Sequence, residues 1–343
     1  MHMSFPILTH LELEPNNGHQ EVILQDSFLG GSAPNLRSLR LRGVTYPTLP
    51  KLLLTAKGLV DLCLLNIPFS DYISPDSMAS FLSSLTKPED LRLGLLSRAS
   101  SPDQNGRLPL TRIDLPYLIR LDFEGTNKYL EDFVARINAP LLCQFRITFI
   151  DSVLLNTPQV TNFVDRAERF KVLDRAELTF YEDRVIVKLL SQKETINRTI
   201  LEVQSGCDPS KGHLALAQAC SSFSSFISSL EYLNLIEDES WPLYLRPGLK
   251  NAYLLQLLSP FITVKHLYLS GAPGLHVSRA LRGLTWESVA EVWPTLQSVF
   301  LEGLQPSEDV VEAIGQFIVR RQLSSHPVSV HSWDEKELMY EEL

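Results

Sequence analysis

APNLRSLRL, from Ala33 to Leu41, is the stretch that decides the fold of this chain. Side chains in a strand point alternately to opposite faces, so Leu39 and Leu41 share one face while Ser38 and Arg40 share the other. The stretch therefore predicts a short strand with one buried face and one polar face.

The same pattern, a Pro followed by LxxLxL or a close apolar equivalent, recurs along the whole chain. With the proline it is found at Phe5 to Leu13, Leu115 to Phe123, Ala139 to Ile147 and Trp293 to Leu301, and without it from Leu59, Leu173, Leu230 and Val264, with a weaker copy from Pro88. Successive copies begin 23 to 34 residues apart, except for one gap of 57. We expect a degenerate strand near Ile200 to Val203, after another at Val185 to Lys188, to fill that gap.

Segments with helical apolar spacing lie between these strands. Start signals are Ser74-Pro75-Asp76, Asn127, Thr157-Pro158 and Ser307-Glu308-Asp309, and further runs cover Leu214 to Phe226, Leu249 to Leu258 and Val277 to Val292. A doubly wound α/β domain would also alternate strands and helices, but its strands are apolar on both faces. The predicted fold class is therefore α/β, a leucine-rich-repeat solenoid forming a right-handed horseshoe, whose repeats are irregular and long for that class.

This pattern predicts one solenoid over residues 1–333 with about 11 to 12 repeats. The last helix, 307–321, is expected to act as a C-terminal cap. The final segment, 334–343, has the sequence DEKELMYEEL and is expected to be an acidic tail.

Charge and cysteine usage restrict the possible partners and compartments. The net charge is −9, from 31 Lys+Arg against 40 Asp+Glu, which argues against nucleic acid and acidic membranes as partners. No stretch is apolar and long enough to suggest a membrane span, and no signal peptide is recognisable. Four scattered cysteines without metal or disulfide spacing indicate an intracellular protein, in the cytoplasm or the nucleus.

Motifs that carry chemistry are missing from the sequence. It contains no HExxH, GxSxG or GxGxxG, the histidines include no helical i, i+4 pair, and Gly206 to Gly212 lacks the ending of a phosphate-binding loop. We therefore predict no enzyme, no catalytic residue, no cofactor and no metal. An unrecognised hydrolase or nucleotide-binding enzyme remains the alternative from another class.

Four segments carry a resemblance to a known family: Ser27 to Gly43, Leu49 to Pro68, Tyr72 to Thr86 and Val299 to Asp334, the last being the most specific. They resemble a large fungal family of F-box proteins with leucine-rich repeats, and the resemblance extends over nearly the whole chain. In that family an N-terminal F-box docks on the adaptor of a cullin-RING ubiquitin ligase, and the repeats are taken to select the substrate. The resemblance implies that this chain recognises substrates for such a ligase or is a remnant of such a receptor.

The sequence departs from the family pattern at its start, because the first repeat begins at Phe5 where an F-box would precede it. Either that part is truncated or the chain is a paralogue without it, so binding of the ligase adaptor is expected only if an upstream F-box exists. Smaller departures are Pro88 and Ala176, which replace apolar repeat positions and lead us to expect irregular strands there.

The repeat itself predicts binding of a protein partner on the concave strand face. Because Tyr and Arg are enriched at interface hot spots, the predicted contact residues on that face are Arg40, Arg92, Arg146, Tyr232, Tyr268 and Phe300. His266 is interpreted as a surface residue. In the competing interpretation, neighbouring strands pair their charges and the aromatics pack under a loop or the last helix. A scaffold with no link to a ligase is a further alternative.

Overall fold

The fold is taken from a computed structural model. It describes residues 5, 7–15, 22–25, 28–46, 49–67, 73–95, 112–150, 157–181, 184–191, 200–205, 217–218, 220–237, 251–270, 281–282, 292–302 and 308–333. These residues form two compact units, the first from 1–151 with 157–171 and the second from 152–156 with 172–343. Each unit combines a sheet with helices, so the α/β class predicted from the sequence is confirmed.

The sheet of the first unit is wholly parallel, and its strands follow chain order. Its strands are β1 (His10–Leu13), β3 (Ser38–Arg42), β5 (Asp61–Ile67), β6 (Asp90–Leu95), β8 (Arg120–Gly125) and β10 (Gln144–Phe149). Two short parallel pairs accompany it, β2 (Val22–Ile23) with β4 (Val44–Thr45) and β7 (Ile113–Asp114) with β9 (Ile137–Asn138). Each main strand coincides with one copy of the repeated pattern.

One hydrogen-bond arrangement recurs at the start of the strands. The carbonyl of Thr9 accepts hydrogen bonds from two successive backbone amides, Arg37 and Ser38, at 2.7 and 3.0 Å. Other carbonyls accept an equivalent pair from the next repeat: Arg37, Val60, Glu89 and Ile119 in the first unit, and Asp174, Glu231 and Lys265 in the second. The pair donated by Glu89 and Asp90 directly follows Pro88, so β6 enters the sheet in the regular way. Further along, the register between β5 and β6 shifts between Leu64 and Ile67, so the pairing of this strand is irregular.

The helices of the first unit are α1 (Leu49–Thr55), α2 (Pro75–Ser83), α3 (Asn127–Val134) and α4 (Pro158–Arg166). Ser74 caps α2 as predicted, accepting from the amide of Ser77. The N-cap of α3 is Thr126 and not Asn127. The Thr126 hydroxyl accepts a hydrogen bond from the amide of Tyr129, and Asn127 is already the first residue of the helix.

The N-terminus of α4 is held by another helix. Thr157 precedes α4 as predicted, but its side chain makes no capping hydrogen bond. Instead the carboxylate of Glu131 on α3 accepts from the amides of Gln159 and Val160, both at 2.9 Å. These amides have no partner within their own helix. The contact therefore fixes α4 against α3.

The core of the first unit lies between the sheet and its helices. Leu39, Leu62, Leu91, Leu121 and Phe145 occupy equivalent positions on successive strands and are buried. Along β3, β8 and β10 these buried apolar residues alternate with polar residues, which are half-buried except for the exposed Arg42. This alternation is the one that the LxxLxL spacing predicts.

The sheet of the second unit has a parallel part and an antiparallel part. The parallel part comprises β11 (Arg175–Phe180), β14 (Tyr232–Glu237), β15 (His266–Ser270), β16 (Ser298–Glu302) and β17 (Ser329–Trp333). On its other side β11 pairs antiparallel with β12 (Val185–Leu190), which pairs antiparallel with β13 (Ile200–Ser205).

The two strands that fill the gap of 57 residues are therefore not further parallel repeats. They form an antiparallel extension of the sheet from β11, and the segment with Cys220, Phe223 and Ile227 packs over their apolar face. Ala176, which we expected to disturb its strand, is fully buried in β11, and that strand is paired on both sides.

The described helices of the second unit are α5 (Ser224–Ile227), α6 (Asn251–Leu258) and α7 (Glu308–Leu323). Residue 307, most of the run 277–292, the segment 206–212 and the tail 334–343 lie outside the described residues. Helix α7 corresponds to the predicted cap, but the chain continues beyond it into β17, which the sequence analysis did not predict and which pairs in parallel with β16.

Candidate protein-binding face

The polar face of the first unit carries pairs of opposite charges across neighbouring strands. Arg40 on β3 donates from Nε and Nη2 to Oδ2 of Asp61 on β5, at 3.0 and 2.7 Å. Ser38 donates to the same oxygen at 3.0 Å. The hydrogen bond to Asp61 raises the pKa of Arg40. This predicted contact residue is therefore engaged within the sheet, although 41% of its side chain is exposed.

A second network lies on β6, β8 and β10. Arg92 donates to both carboxylate oxygens of Asp90, and its Nε lies 3.7 Å from Asp122. Arg120 donates to Asp90 and to Gln144, and Arg146 lies 3.9 Å from Asp122. Burial raises the pKa of the Asp122 carboxyl, and the charges of Arg146 and Arg92 oppose this rise. Arg92 and Arg146 thus belong to a network of opposite charges. Such charge pairing between neighbouring strands is what we expected if these arginines serve the sheet and not a partner.

Aromatic rings follow one another across the polar face of the second unit. Tyr268 on β15 stacks on Phe300 of β16, with centroids 4.4 Å apart and planes within 8°. Phe300 in turn stacks on His331 of β17 at 5.1 Å. Tyr232 on β14 stacks on His266 of β15 at 5.0 Å, and the guanidinium of Arg175 lies 5.6 Å from the Tyr232 centroid. We call these six residues the aromatic cluster.

The aromatic cluster is partly accessible to solvent. Tyr232, Tyr268 and Phe300 are half-buried, and His331 is exposed. Their positions alternate with the buried Leu233, Leu267 and Val299, so the rings lie on the face opposite the core. The structure therefore brings the three predicted aromatics together on one face, and they keep accessible surface.

Sequence reasoning missed three members of the cluster. His266 was interpreted as a surface residue, yet its ring is half-buried against Tyr232. Arg175 and His266 occupy the same repeat position as Tyr232, so the repeat pattern places them on the same polar face, although neither was chosen as a contact residue. His331 lies on β17. This strand does not carry the LxxLxL pattern, so the repeat gave no indication of it.

Burial lowers the pKa of His266, and the charge of Lys265 acts in the same direction, while the charge of Glu231 opposes them. The Nδ1 atom of His266 is buried and has no hydrogen-bond partner among the described residues. Lys265 donates to Glu231 at 2.5 Å, which lowers the pKa of Glu231. The neutral form of the imidazole is thus the form that fits the aromatic cluster.

An open groove of about 640 Å³ lies in the first unit, beside β1. It is lined by His10, Leu11, Glu12, Arg37, Ser38, Arg40, Val60 and Asp61. Its walls contain the Arg40–Asp61 pair, so two of its charged groups already satisfy each other.

Within the described ranges, no group of three or more His, Cys, Asp or Glu side chains is arranged to hold a metal ion. Among the helices that the structure describes, none combines the length and the apolar character needed to cross a bilayer.

These features define an α/β protein whose strands repeat one pattern and whose sheets keep a polar, partly aromatic face. No protein-family profile matches the chain. No curated protein sequence matches it. Among solved structures, the chain is similar to the leucine-rich repeat-containing protein LegL7 from Legionella pneumophila, with 14% sequence identity, coverage of 96% of this chain and 91% of that chain, and a TM-score of 0.36.

Proposed function

We propose that this chain is a leucine-rich-repeat solenoid of the horseshoe type that binds another protein through the polar face of its strands. The observation that carries the proposal is the aromatic cluster, in which large rings are stacked, held by neighbouring strands and still partly accessible. Aromatic side chains supply much of the binding energy at protein interfaces, and rings fixed in advance lose little entropy on binding.

The arginines contribute less in this proposal than the sequence analysis expected. Arg40 already donates to a carboxylate of the adjacent strand, and Arg92 donates to Asp90 of its own strand, so a partner would have to replace those hydrogen bonds. The principal proposed contact residues are therefore Tyr232, Tyr268 and Phe300 of the second unit. Arg40, Arg92 and Arg146 of the first unit are secondary candidates.

The resemblance to fungal F-box proteins supports a narrower role, that of a substrate receptor in a cullin-RING ubiquitin ligase or a remnant of one. In this role the chain catalyses no reaction itself and needs no cofactor. A scaffold with the same binding face and no ligase is the alternative. If an upstream F-box exists, co-purification of the ligase adaptor with the extended chain supports the receptor role, and failure of the adaptor to co-purify favours the scaffold.

The binding face is tested by site-specific photo-crosslinking in an extract of the source cells. A photoreactive phenylalanine analogue replaces Phe300 in one variant and Lys51, an exposed residue of α1, in the control. We expect a discrete crosslinked product at Phe300 that a Tyr232→Ser/Tyr268→Ser double substitution removes. Equal crosslinking at Phe300 and Lys51, or a product insensitive to the double substitution, would overturn the proposal.

A further inference from the structure

Arg175, the arginine of the aromatic cluster, lacks the carboxylate that the arginines on the polar face of the first unit have. Its guanidinium lies 5.6 Å from the ring centroid of Tyr232, and its buried Nε atom has no hydrogen-bond partner among the described residues. No carboxylate in the described part of the chain forms an ion pair with it. Arg175 therefore carries a half-buried positive charge that no described acidic group pairs with.

The first unit shows the arrangement that Arg175 lacks. Every arginine within the main strands of that unit lies between 2.7 and 3.9 Å from a carboxylate oxygen; these residues are Arg40, Arg42, Arg92, Arg120 and Arg146. A guanidinium presents its donors in a fixed planar fork that matches a carboxylate. A half-buried charge without such a counter-ion is unfavourable.

The acidic side chains beside Arg175 in the sequence pattern are already engaged. Glu177, two residues further along β11, accepts from Lys188 at 3.1 Å. Glu231, which directly precedes β14, accepts from Lys265 at 2.5 Å. The same two contacts occupy the lysines. Arg175 thus offers its charge to an anion that the described part of the chain does not supply.

We propose that Arg175 binds a carboxylate of the partner, so that the partner presents an acidic peptide segment to the aromatic cluster. This inference rests on the proposed function and specifies the chemistry of the partner. One guanidinium balances the single charge of an Asp or Glu side chain. A phosphate group carries nearly two charges and would require the lysines that are already paired.

The surroundings of Arg175 favour such a contact. Because the side chain is half-buried against Tyr232, solvent screens its charge less than on an open surface. Hydrogen bonds between arginine and a carboxylate are charge-assisted and are among the stronger ones in proteins. The rings of the aromatic cluster meanwhile provide apolar surface for a neighbouring residue of the same segment.

The register of the strands gives the distance between these two anchoring points. Arg175 lies on β11, and the stacked pair of Tyr268 and Phe300 lies two to three strands away, on β15 and β16. Neighbouring strands are about 4.8 Å apart, so the separation is about 12 Å, which an extended peptide spans in about four residues. We therefore expect an acidic residue about four positions from an aromatic or aliphatic one.

A phage-displayed library of random peptides, selected on the immobilised full chain, identifies segments that bind. We expect the selected peptides to be richer in Asp and Glu than the unselected library, and their binding to be lost in Tyr268→Ser. Peptides that depend on Tyr268 but show no acidic enrichment would overturn this inference and leave the proposed function standing. A selection without any peptide that depends on Tyr268 would overturn both.

The affinity of one selected acidic peptide, measured by fluorescence polarisation, tests Arg175 directly. Arg175→Gln should raise the dissociation constant at least about tenfold, because the charge-assisted hydrogen bonds are lost. The control is Arg42→Gln, which removes a polar-face arginine whose ion pair with Glu14 is exposed, and it should keep the wild-type affinity. Equal affinity of the wild type and Arg175→Gln for this peptide would refute the proposal.

Two altered peptides complete the experiment. With glutamine in place of its acidic residue, the peptide should bind the wild type and Arg175→Gln equally, which also shows that the variant is folded. A remaining preference for the wild type would mean that Arg175 acts on something other than the carboxylate. With phosphoserine at the acidic position, tighter binding than that of the original peptide would assign the site to a phosphoryl group and contradict the proposal.

Discussion

The ring of Phe300 on β16 lies parallel to the ring of Tyr268 on β15, 4.4 Å away, on the face of the sheet opposite the core. Cross-strand aromatic pairs of this kind contribute about 0.5–1.5 kcal/mol beyond the apolar area that they bury. The pair therefore stabilises the second unit while keeping surface for a partner.

Phe300→Leu should lower the free energy of unfolding by about 1 kcal/mol, because leucine keeps most of the apolar contact but loses the stacking. A double-mutant cycle with Tyr268→Leu, measured by urea unfolding, should give a coupling of similar size. Additive effects of the two substitutions would show that the rings are neighbours without energetic coupling.

Arg40→Met should destabilise the first unit by about 1 kcal/mol, because methionine preserves much of the apolar stem but leaves the Asp61 carboxylate without its two guanidinium donors. Arg42→Met is the matched control on the same strand. Arg42 lies 3.5 Å from Glu14, and both side chains are 53% exposed, so we expect no measurable change. Equal effects of the two substitutions would contradict the special role of the Arg40–Asp61 pair.

Glu131→Ala should cost about 1–2 kcal/mol, since the amides of Gln159 and Val160 at the start of α4 then lose their acceptor. Thr157→Val provides the comparison, because the Thr157 hydroxyl oxygen is buried and has no hydrogen-bond partner among the described residues. Valine at this position should be neutral or stabilising. Thermal unfolding of both variants gives the result, and a larger cost for Thr157→Val would be inconsistent with the capping assigned to Glu131.

The stability of the second unit should depend on pH through His266. Its pKa in the folded protein lies below the ordinary value of 6.5, so folding favours the neutral ring. The contribution of the neutral His266 ring to the free energy of unfolding is complete above pH 6.5, and it is lost as the pH falls through the lowered folded-state pKa. The added N–H would also find no acceptor at Nδ1 if protonation occurred there.

His266→Asn should therefore flatten the decline in stability that begins as the pH falls below 6.5. Urea unfolding at several pH values measures the slope, and NMR titration of the imidazole measures the pKa directly. A His266 pKa at or above 6.5 would refute the burial argument.

Much of the fold could be predicted from the sequence because the repeated pattern encodes burial directly. The alternation of Leu39 and Leu41 with Ser38 and Arg40 appears unchanged in β3. The antiparallel pairing of β12 with β11 was not predictable from the same pattern. Apolar alternation specifies the face of a strand but not its direction, and the short connection after Phe180 brings the chain straight back.

The candidate site was predicted less well than the fold. The position of Arg40 on the polar face followed from its place in the repeat, but the carboxylate that it binds lies 21 residues further along and is set by register between strands. The aromatic cluster has the same origin, because Tyr268 and Phe300 meet only when β15 and β16 are aligned. His331 depends on a strand that carries no repeat signal.

The double hydrogen bond that recurs at the start of most of the parallel strands has a consequence for how such a chain can change in length. The accepting carbonyls at residues 9, 37, 60, 89 and 119 are separated by 28, 23, 29 and 30 residues, yet each receives its pair in the same way. Alignment is thus fixed at the point of entry and does not depend on the length of the preceding connection, and longer loops cost little additional entropy. Connections of different length are therefore compatible with the same strand alignment, as the uneven spacing of the repeats in this chain illustrates.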